Sequence, residues 1–197
     1  MPILEVKNLC KTFGKTQVLK GISFSMEEGE ALSVIGSSGS GKTTLLNIIA
    51  GLLESDEGSL SGTSHRKMAY AFQEPRLLPW KNVLENVEFA VPEDISRGDR
   101  RSRAMQCLET VELASAATMH PSELSGGMAR RASLARALAV GADLLLLDEP
   151  FAATDAALRD LIAERLKIIF AWNRTTVILV THDEADATAF GGSIVKL

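Results

Sequence analysis

The stretch Gly36-Ser37-Ser38-Gly39-Ser40-Gly41-Lys42-Thr43 decides how this 197-residue sequence is interpreted. It matches the phosphate-loop pattern G-x-x-x-x-G-K-[ST], which is typical of phosphate binding when a strand precedes it and a helix follows. Both conditions are met, because residues 31–35 form an aliphatic run and residues 43–53 have apolar positions at helical spacing. Chance gives such a string in on the order of one chain in a hundred. A glycine-rich turn with an incidental lysine is therefore a weak alternative.

The residue types in this loop suit the binding of a polyphosphate. Glycine lets the backbone curl so that consecutive N–H groups point at phosphate oxygens, and the following helix adds the positive end of its dipole. Lys42 supplies a positive charge for the β- and γ-phosphates, and Thr43 offers a hydroxyl group to Mg²⁺. The residues predicted to bind the nucleotide here are Gly36, Ser37, Ser38, Gly39, Ser40, Gly41, Lys42, Thr43 and Thr44.

A second motif lies about a hundred residues further on, where four leucines at 144–147 are followed by Asp148 and Glu149. In proteins with a phosphate loop, an acidic residue at the end of a buried strand holds Mg²⁺, so we predict this role for Asp148. Glu149 is predicted to polarise the attacking water. Two solvated carboxylates at a strand end are a common arrangement, but the phosphate loop makes that alternative weak.

Strands and helices alternate along most of the chain, with unbroken aliphatic strands, which predicts a buried parallel sheet covered on both faces. A helical insertion at about 74–125 interrupts this α/β core, with Pro92 and Gly98 at the join between two of its helices. The predicted order is strand 22–26, strand 31–35, helix 43–53, a loop or weak hairpin over 54–67, strand 68–72, helix 82–91, helix 100–113, a helix from the glycine pair 126–127 to about 140, strand 144–147, helix 156–172, strand 176–180, a helix, and strand 193–197.

Composition excludes several classes of protein. Hydrophobic residues make up 46% of the chain and charged residues 23%, which indicates a globular domain with a core. The longest apolar runs fall far short of the ~20 residues of a transmembrane helix, and the first ten residues do not resemble a secretory signal. Cys10 and Cys107 are isolated, which favours a reducing compartment. The net charge of −4 argues against nucleic-acid binding, and the one basic cluster is interpreted as a solvated helix start: Arg97, Arg100, Arg101 and Arg103.

Several further motifs resemble those of ABC-transporter ATP-binding subunits, in the right order and over nearly the whole chain. Residues 124–128, Leu-Ser-Gly-Gly-Met, resemble that family's signature, and residues 130–138 resemble the helix that follows it. Residues 152–155 resemble its D-loop. Gln73 stands at the position of its Q-loop glutamine, His182 at that of its switch histidine, and Phe13 at that of the aromatic residue that stacks on adenine.

The resemblance implies an α/β P-loop NTPase core with a parallel sheet, an N-terminal antiparallel β-subdomain and an inserted helical subdomain, all within one ATP-binding domain at 1–197. It implies a head-to-tail dimer that sandwiches two ATP molecules, each between one subunit's phosphate loop and the partner's signature. His182 would contact the γ-phosphate and hold the attacking water with Glu149, and Gln73 would touch Mg²⁺ or water. An apolar aromatic in an N-terminal strand is often only a core residue, so that reading of Phe13 stays open. The signature residues implied to bind ATP are Ser125, Gly126 and Gly127.

The segment 72–80, Phe-Gln-Glu-Pro-Arg-Leu-Leu-Pro-Trp, is similar to that of importers for nitrate, sulfonates and taurine. That similarity implies transmembrane permease subunits as partners, a solute-binding protein acting indirectly, and a cytoplasmic location on the inner face of the cell membrane. Leu77, Leu78 and Trp80 have the composition of a docking surface. They fit equally well as a cap on the core of the helical subdomain.

Some residues depart from the family's pattern. Met128 stands where Gln is usual, and Thr154 stands where Leu is usual, so we expect altered dimer packing or rate rather than lost nucleotide binding. Three alternatives to a transport ATPase stay open. A non-transport ABC ATPase usually has coiled-coil insertions or tandem cassettes. A P-loop kinase or metabolic NTPase would leave the signature and His182 without a role. A weakly hydrolysing partner subunit would conflict with the presence of Glu149 and His182.

Overall fold

A computed structural model of the chain describes residues 2–63 and 66–197. Eight strands and six α-helices are found in these residues, with short 3₁₀ turns at Ala114–Ala116 and Pro121–Glu123. The strands are β1 (Leu4–Phe13), β2 (Thr16–Met26), β3 (Ala31–Ile35), β4 (Glu57–Ser61), β5 (Met68–Ala71), β6 (Leu144–Asp148), β7 (Thr176–Thr181) and β8 (Ser193–Lys196). The helices are α1 (Lys42–Ile49), α2 (Val83–Glu88), α3 (Arg97–Thr110), α4 (Gly126–Val140), α5 (Ala156–Asn173) and α6 (Glu184–Phe190).

The central sheet is parallel, in the order β5-β6-β7-β3-β8. Alternate residues of β6 and β7 face two different hydrophobic cores, because successive side chains of a strand point to opposite faces. Leu145 and Leu147 contribute to the core that includes α2, α3, α4 and α5. Leu144 and Leu146 contribute to the core that includes α1 and the N-terminal strands. The predicted parallel sheet, buried on both faces, is confirmed.

The second sheet is antiparallel, in the order β2-β1-β4. It matches the expected N-terminal antiparallel part of the fold. The interpretation of 54–67 as a loop or weak hairpin is wrong for β4, because Leu60 pairs with Val6 of the distant strand β1 and not with a neighbouring segment. The remainder of that prediction, at 64–65, lies outside the described residues.

Two helices, α2 and α3, lie between β5 and α4, where the insertion was expected. Asn82 and Glu85 form a reciprocal capping box at the start of α2, which fixes that helix boundary. Ser96 caps α3 by accepting a hydrogen bond from the Asp99 amide, so α3 begins three residues earlier than expected. Gly98 therefore lies inside the first turn of α3, and its assignment to the join between helices is wrong.

The predicted helix over 43–53 is too long at its C-terminal end. α1 ends at Ile49, because Gly51 adopts a left-handed φ of 70° and the amides of 50–53 turn back to the last carbonyls of the helix. The basic cluster near the start of α3 is only partly a solvated surface. Arg101 is exposed, whereas Arg100 and Arg103 are half-buried against their neighbours.

Among the described residues, no helix is both long enough and apolar enough to cross a membrane.

Candidate functional site

The phosphate loop connects β3 to α1, as its pattern predicts. Gly41 occupies the N-cap of α1 with φ 101°, a conformation that favours glycine. A Cβ on Gly41 would lie 2.7 Å from a methyl group of Val18 and 2.9 Å from one of Leu19. The β2 strand therefore presses against the loop at a point where only glycine fits. The N-terminal end of α1 then opens onto the pocket with its amide groups free to bind an anion.

Lys42 is buried, with 6% of its surface exposed, and it follows this glycine directly. Its ammonium group donates hydrogen bonds to the carbonyl oxygens of Gly36 at 2.8 Å and Ser37 at 2.9 Å. Its Nζ also lies 3.9 Å from Oε1 of Glu149. The backbone of the loop thus surrounds the buried Lys42 ammonium group, which faces Glu149 at the end of β6.

Asp148 ends β6 and faces the start of α1. The Thr43 hydroxyl donates to Asp148 Oδ2 at 2.8 Å, and the Tyr70 hydroxyl lies 3.4 Å from the same oxygen. Burial raises the pKa of Asp148, and the charge of Glu149 raises it further, while the hydrogen bond from Thr43 opposes the rise. The other oxygen, Oδ1, is buried and has no hydrogen-bond partner among the described residues. This side chain therefore has an unused acceptor directed into a polar site.

Glu149 and His182 meet at the carboxyl ends of β6 and β7. Nδ1 of His182 lies 2.9 Å from Oε2 of Glu149, while the other carboxylate oxygen faces Lys42. Glu149 has a left-handed φ of 48°, and its amide donates to the carbonyl of Val180 at 2.9 Å. A non-glycine residue in this conformation costs on the order of 1–3 kcal/mol. In this left-handed conformation the Glu149 side chain lies between Lys42 and His182.

Lys42, Thr43 and Glu149 border a pocket of about 260 Å³ at the phosphate loop. Phe13, Val18 and Gln73 complete its wall, so the structure brings two residues from distant motifs to the loop. Phe13 is 49% exposed, which favours the role of a surface for a flat ring over that of a core residue. The lining residues are Phe13, Val18, Ser38, Gly39, Gly41, Lys42, Thr43, Thr44, Gln73 and Glu149.

The signature segment lies elsewhere on the chain's surface. Ser125 caps α4 by accepting a hydrogen bond from the Met128 amide at 3.2 Å, and Ser125 and Gly126 are exposed. Neither they nor Gly127 are among the described residues that line the pocket. Gly127 packs against the D-loop, where a Cβ would lie only 2.6 Å from the carbonyl oxygen of Ala153. The signature is therefore preformed in the single chain, away from its own phosphate loop.

The loop that carries Gln73 is fastened to α4. Arg136 donates to the carbonyls of Pro75 and Arg76, both at 2.8 Å, and burial lowers the pKa of its guanidinium. Arg76 adopts a left-handed φ of 46° and stacks over Phe72 at 4.2 Å from the ring centroid. The Gln73 loop is thereby tied to the helix that begins at the signature.

The same loop carries Leu77, Leu78 and Trp80, which the sequence left as either a docking surface or a cap on the helical core. Leu77 packs against the core that includes α2 and α3, so the cap interpretation holds for this residue. Trp80 is 71% exposed, which keeps it available for a partner. Asn86 is fully buried and holds the segment between them by accepting from the Leu78 amide and donating to the carbonyls of Leu78, Lys81 and Asn82.

Several residues that support the site were not found from the sequence, namely Tyr70, Arg136 and Asp56. Asp56 accepts from Lys11 Nζ at 2.6 Å and from the Thr12 amide at 2.7 Å, next to Phe13. The spacing of Tyr70 placed it on a strand but did not reveal its hydrogen bond. Arg136 is a charged residue among the mostly small and apolar residues of α4. A charged side chain in such a segment indicates that it has a polar partner in the fold.

The departures from the family pattern lie at or near packed positions. Met128 is half-buried against the helical core, and the Thr154 hydroxyl is buried without a hydrogen-bond partner among the described residues. These side chains contact their own chain, and their effect on dimer packing or rate stays a prediction.

A parallel sheet with a phosphate loop after β3, and acids at the end of β6, defines a P-loop nucleotide-binding fold. The chain belongs to the ABC transporter family, whose profile matches residues 19–152. It is 44% identical over 196 residues to the aliphatic sulfonates import ATP-binding protein SsuB of Granulibacter bethesdensis, covering 100% of this chain and 80% of that protein. It is 43% identical over 197 residues to the protein of the same name from Corynebacterium glutamicum, with the same coverage.

Solved structures of ATP-binding cassettes share the fold. A dimeric structure of the ATP-binding cassette MJ0796 in a post-hydrolysis state, bound to ADP and Pi, has a TM-score of 0.87 and 34% sequence identity. The match covers 98% of this chain and 94% of that one. A nucleotide-free ATP-binding cassette from an ABC transporter has a TM-score of 0.82 and 26% identity, over 100% of this chain and 88% of that one.

Proposed function

We propose that this chain is the ATP-binding and ATP-hydrolysing subunit of an importer for aliphatic sulfonates or closely related solutes, in the group that also takes nitrate and taurine. The observation that carries the proposal is the position of Glu149, which lines the pocket with Lys42 and contacts Lys42 on one side and His182 on the other, with Thr43 and Asp148 paired beside it. A lysine for phosphates, an acid for water and a histidine within 2.9 Å of that acid are the groups that hydrolysis of a terminal phosphate requires.

In this proposal Lys42 and the loop amides bind the β- and γ-phosphates of ATP. Phe13 packs against the adenine ring, and the remaining loop residues from Gly36 to Thr44 surround the phosphates. Glu149 accepts the proton of the attacking water, and His182 holds the Glu149 carboxylate in place while donating toward the γ-phosphate. Gln73 reaches the same water from the opposite wall.

The residues beside Lys42 fit Mg²⁺. Asp148 has a buried Oδ1 without a hydrogen-bond partner among the described residues, and the Thr43 hydroxyl lies against its other oxygen. Mg²⁺ is usually bound by one or two protein oxygens together with substrate phosphates. When bound, the ion neutralises charge on the phosphates, and Asp148, Thr43 and Gln73 would hold it.

We also propose that the working form is a head-to-tail homodimer. Ser125 and Gly126 are exposed and Gly127 is buried beside them, and none of the three lines the chain's own pocket among the described residues. A second copy brings its signature to that pocket, and two-fold symmetry makes each contact twice. ATP then holds the two copies together, and hydrolysis releases them.

The remaining partners follow from the importer assignment. We propose that membrane permease subunits dock beside the exposed Trp80, that a solute-binding protein acts through them, and that the chain works at the cytoplasmic face of the membrane. The chain is proposed to be one ATP-binding domain with its helical insertion at about 74–125. Nucleic acid is not an expected partner.

The test is nucleotide-dependent dimerisation combined with ATP hydrolysis. We expect Glu149→Gln to lower the hydrolysis rate about 10²–10⁴-fold and to form a stable dimer with Mg-ATP, measured by light scattering after size-exclusion chromatography. Ser125→Arg should abolish this dimer, and so should Ser125→Asp, which keeps an oxygen acceptor at the helix cap. Ser122→Arg, at an exposed serine three residues earlier, is the matched control and should leave the dimer intact.

A folded Glu149→Gln variant that stays monomeric at saturating Mg-ATP would overturn the sandwich. Wild-type hydrolysis no faster than that of Glu149→Gln would favour the alternative of a weakly active nucleotide-binding partner. Uptake of an aliphatic sulfonate that is unchanged when this subunit is inactivated in its host would favour a non-transport ABC ATPase.

A further inference from the structure

A second cleft, of about 610 Å³, lies between α3, α4 and α5. It is bordered by Leu145 near the start of β6 and by Thr175 just before β7, and these two strands are in register at their amino ends. The nucleotide pocket lies at their carboxyl ends, where Asp148 and His182 are found. The cleft therefore lies at the amino ends of these parallel strands, at the opposite end from the nucleotide pocket, and is separate from the catalytic site.

One side of the cleft is apolar. Leu145 and Phe170 are buried core residues, and Ile95, Leu138 and Ile169 are partly buried beside them. Such a wall accommodates a short alkyl chain, because each CH₂ group removed from water contributes about 0.8 kcal/mol. A volume of several hundred Å³ is in the range of sites for small molecules.

The other side presents a positive charge. Within 2–63 and 66–197, no hydrogen bond or ion pair engages the guanidinium of Arg103, which lines the cleft. One of its nitrogens lies over Gly141, where a Cβ would be only 2.3 Å away, so the glycine makes room for it. Burial raises the pKa of the nearby Cys107 thiol to about 11, and the charge of Arg103 opposes the rise. The half-buried cation therefore acts inside the cleft and has no described counter-ion.

An acidic side chain also borders the cleft, and it is already engaged. Asp99 lies one helical turn before Arg103, and its carboxylate accepts a hydrogen bond from the Ser96 hydroxyl at 2.6 Å. It does not come within ion-pair distance of Arg103. Because the cleft is lined by one unpaired guanidinium and by one carboxylate that is hydrogen-bonded to Ser96, its charges favour a singly charged anion over a dianion.

We propose that this cleft binds a small amphipathic anion, an alkyl chain with one anionic head group such as an alkanesulfonate or an alkanoate. Its head group accepts hydrogen bonds from Arg103, and its chain packs against the apolar wall. The proposal does not rest on the proposed function, because it concerns binding at the amino ends of the strands and not at the nucleotide pocket. Since α4 runs from the signature to Gly141 at this cleft, the ligand contacts the far end of the signature helix.

The first experiment is a calorimetric titration of the full chain with four six-carbon probes. We expect 1-hexanesulfonate and hexanoate to bind, 1-hexanol to bind at least about tenfold more weakly because it lacks the charge, and hexylammonium not to bind. Tighter binding of the sulfonate identifies sulfonates as the natural source of the ligand, and tighter binding of the carboxylate identifies carboxylic acids. Equal binding of 1-hexanol and the two anions would overturn the proposal.

The second experiment assigns the binding to Arg103. Arg103→Met should weaken 1-hexanesulfonate binding at least about tenfold and leave 1-hexanol binding unchanged, while Arg103→Lys should retain part of it. Arg101→Met removes an exposed arginine from the same helix and should change nothing. Lys42→Ala should also retain the binding. Loss of binding in Lys42→Ala but not in Arg103→Met would place the anion in the phosphate loop and overturn the proposal.

A third experiment locates the ligand without changing a residue. Alkylation of Cys107 at pH 9, followed by mass spectrometry, should slow at least threefold when 1-hexanesulfonate is present at saturation. Cys10 lies on β1, outside the cleft, and serves as the internal control with an unchanged rate. Equal rates at Cys107 with and without 1-hexanesulfonate would place the ligand elsewhere.

Discussion

Tyr70 is the residue beside Asp148 that the sequence motifs do not indicate. Its hydroxyl group lies 3.3 Å from Asn47 Oδ1 and 3.4 Å from Asp148 Oδ2, and its ring stacks on Phe72 with centroids 3.9 Å apart. Burial, followed by the charge of Asp148, raises the pKa of Tyr70 above its usual value. The hydroxyl group therefore keeps its proton at physiological pH and can donate a hydrogen bond. It therefore orients a carboxylate that we propose to hold Mg²⁺.

Tyr70→Phe keeps the stacked ring and removes only the donor. We expect the Mg²⁺ concentration that half-saturates ATP hydrolysis to rise about tenfold, the lower end of the effect that partners of metal ligands have on metal affinity. The rate at saturating Mg²⁺ should change less than about twofold, since the catalytic groups are untouched. An unchanged Mg²⁺ dependence would show that the hydroxyl group does not orient Asp148.

Asp56 provides a pH-dependent contact next to Phe13. The hydrogen bond from the Lys11 side chain, followed by that from the Thr12 amide, lowers the pKa of Asp56 below its usual value. A carboxyl group with a lowered pKa in the folded state stabilises the fold above its unfolded pKa and loses this contribution as the pH falls through the folded value. The stabilisation is therefore present at neutral pH and absent in acid.

Asp56→Asn should unfold at lower urea concentration than the wild type at pH 7, and the difference should shrink as the pH falls below about 4. Urea unfolding followed by circular dichroism at several pH values measures this. Glu57→Gln removes the neighbouring charge as a control. A difference between Asp56→Asn and the wild type that stays constant from pH 7 to pH 3 would contradict the assignment.

At the scale of elements, the segment 77–82 depends on one buried amide side chain. Asn86 in α2 makes four hydrogen bonds to the backbone of residues 78, 81 and 82. A buried polar backbone group that loses its partner costs about 1–3 kcal/mol. The hydrogen bonds of Asn86 therefore hold the part of the loop that precedes α2 in place.

Asn86→Leu, which has nearly the same shape, should lower the free energy of unfolding by about 2–4 kcal/mol. Urea denaturation measures the loss, and hydrogen exchange should show faster exchange at the Leu78 amide. Asn173→Leu, at the exposed end of α5, should change stability by less than about 0.5 kcal/mol. A loss for Asn86→Leu no larger than that of the control would contradict the role of Asn86.

The elements themselves differ in how far their sequence determined them. The aliphatic runs of β3, β6 and β7 predicted their strands and a parallel sheet, because few other environments accept such runs. The start of α3 and the end of α1 were wrong by three or four residues, because a serine cap and a left-handed glycine set them. The partner of β4 was not predictable at all, since Leu60 pairs with Val6 across more than fifty residues.

The candidate site shows the same division. Lys42, Asp148 and Glu149 belong to motifs whose chemistry is readable in the sequence, and the structure brings all three together. Resemblance to a family, and not spacing, supplied the positions of Phe13 and Gln73 near the same pocket. The supporting hydrogen bonds of Tyr70 and Arg136 join residues that are far apart in the chain, so only the tertiary structure reveals them.

At the scale of the whole molecule, one sheet joins two cores. Leu146 faces the core next to α1, and Leu147 faces the core next to α4 and α5, although they are adjacent in β6. Neither core can lose its packing without disturbing the strand that serves the other. The described part of the chain is therefore expected to unfold as one cooperative unit.

Leu146→Ala and Leu147→Ala should each lower the free energy of unfolding by about 2–5 kcal/mol, and both should keep a single transition. Calorimetry and circular dichroism should give the same midpoint for each variant. Leu52→Ala, at an exposed position after α1, should have little effect. Two separate transitions in either core variant would show that the cores unfold independently.

The Gly126-Gly127 pair places two different demands on neighbouring positions. Gly127 lies against the carbonyl of Ala153, and a methyl group there has no room, whereas Gly126 has nothing within 4 Å of the place where a Cβ would be. In a mutational scan scored by folding alone, we expect Gly126→Ala to survive and Gly127→Ala to be lost. Scored by growth on an alkanesulfonate as sole sulfur source, both should be lost. Gly127 would then be required because the protein's own fold leaves no room for a side chain. Gly126 would be required because of a molecule that contacts it from outside the chain.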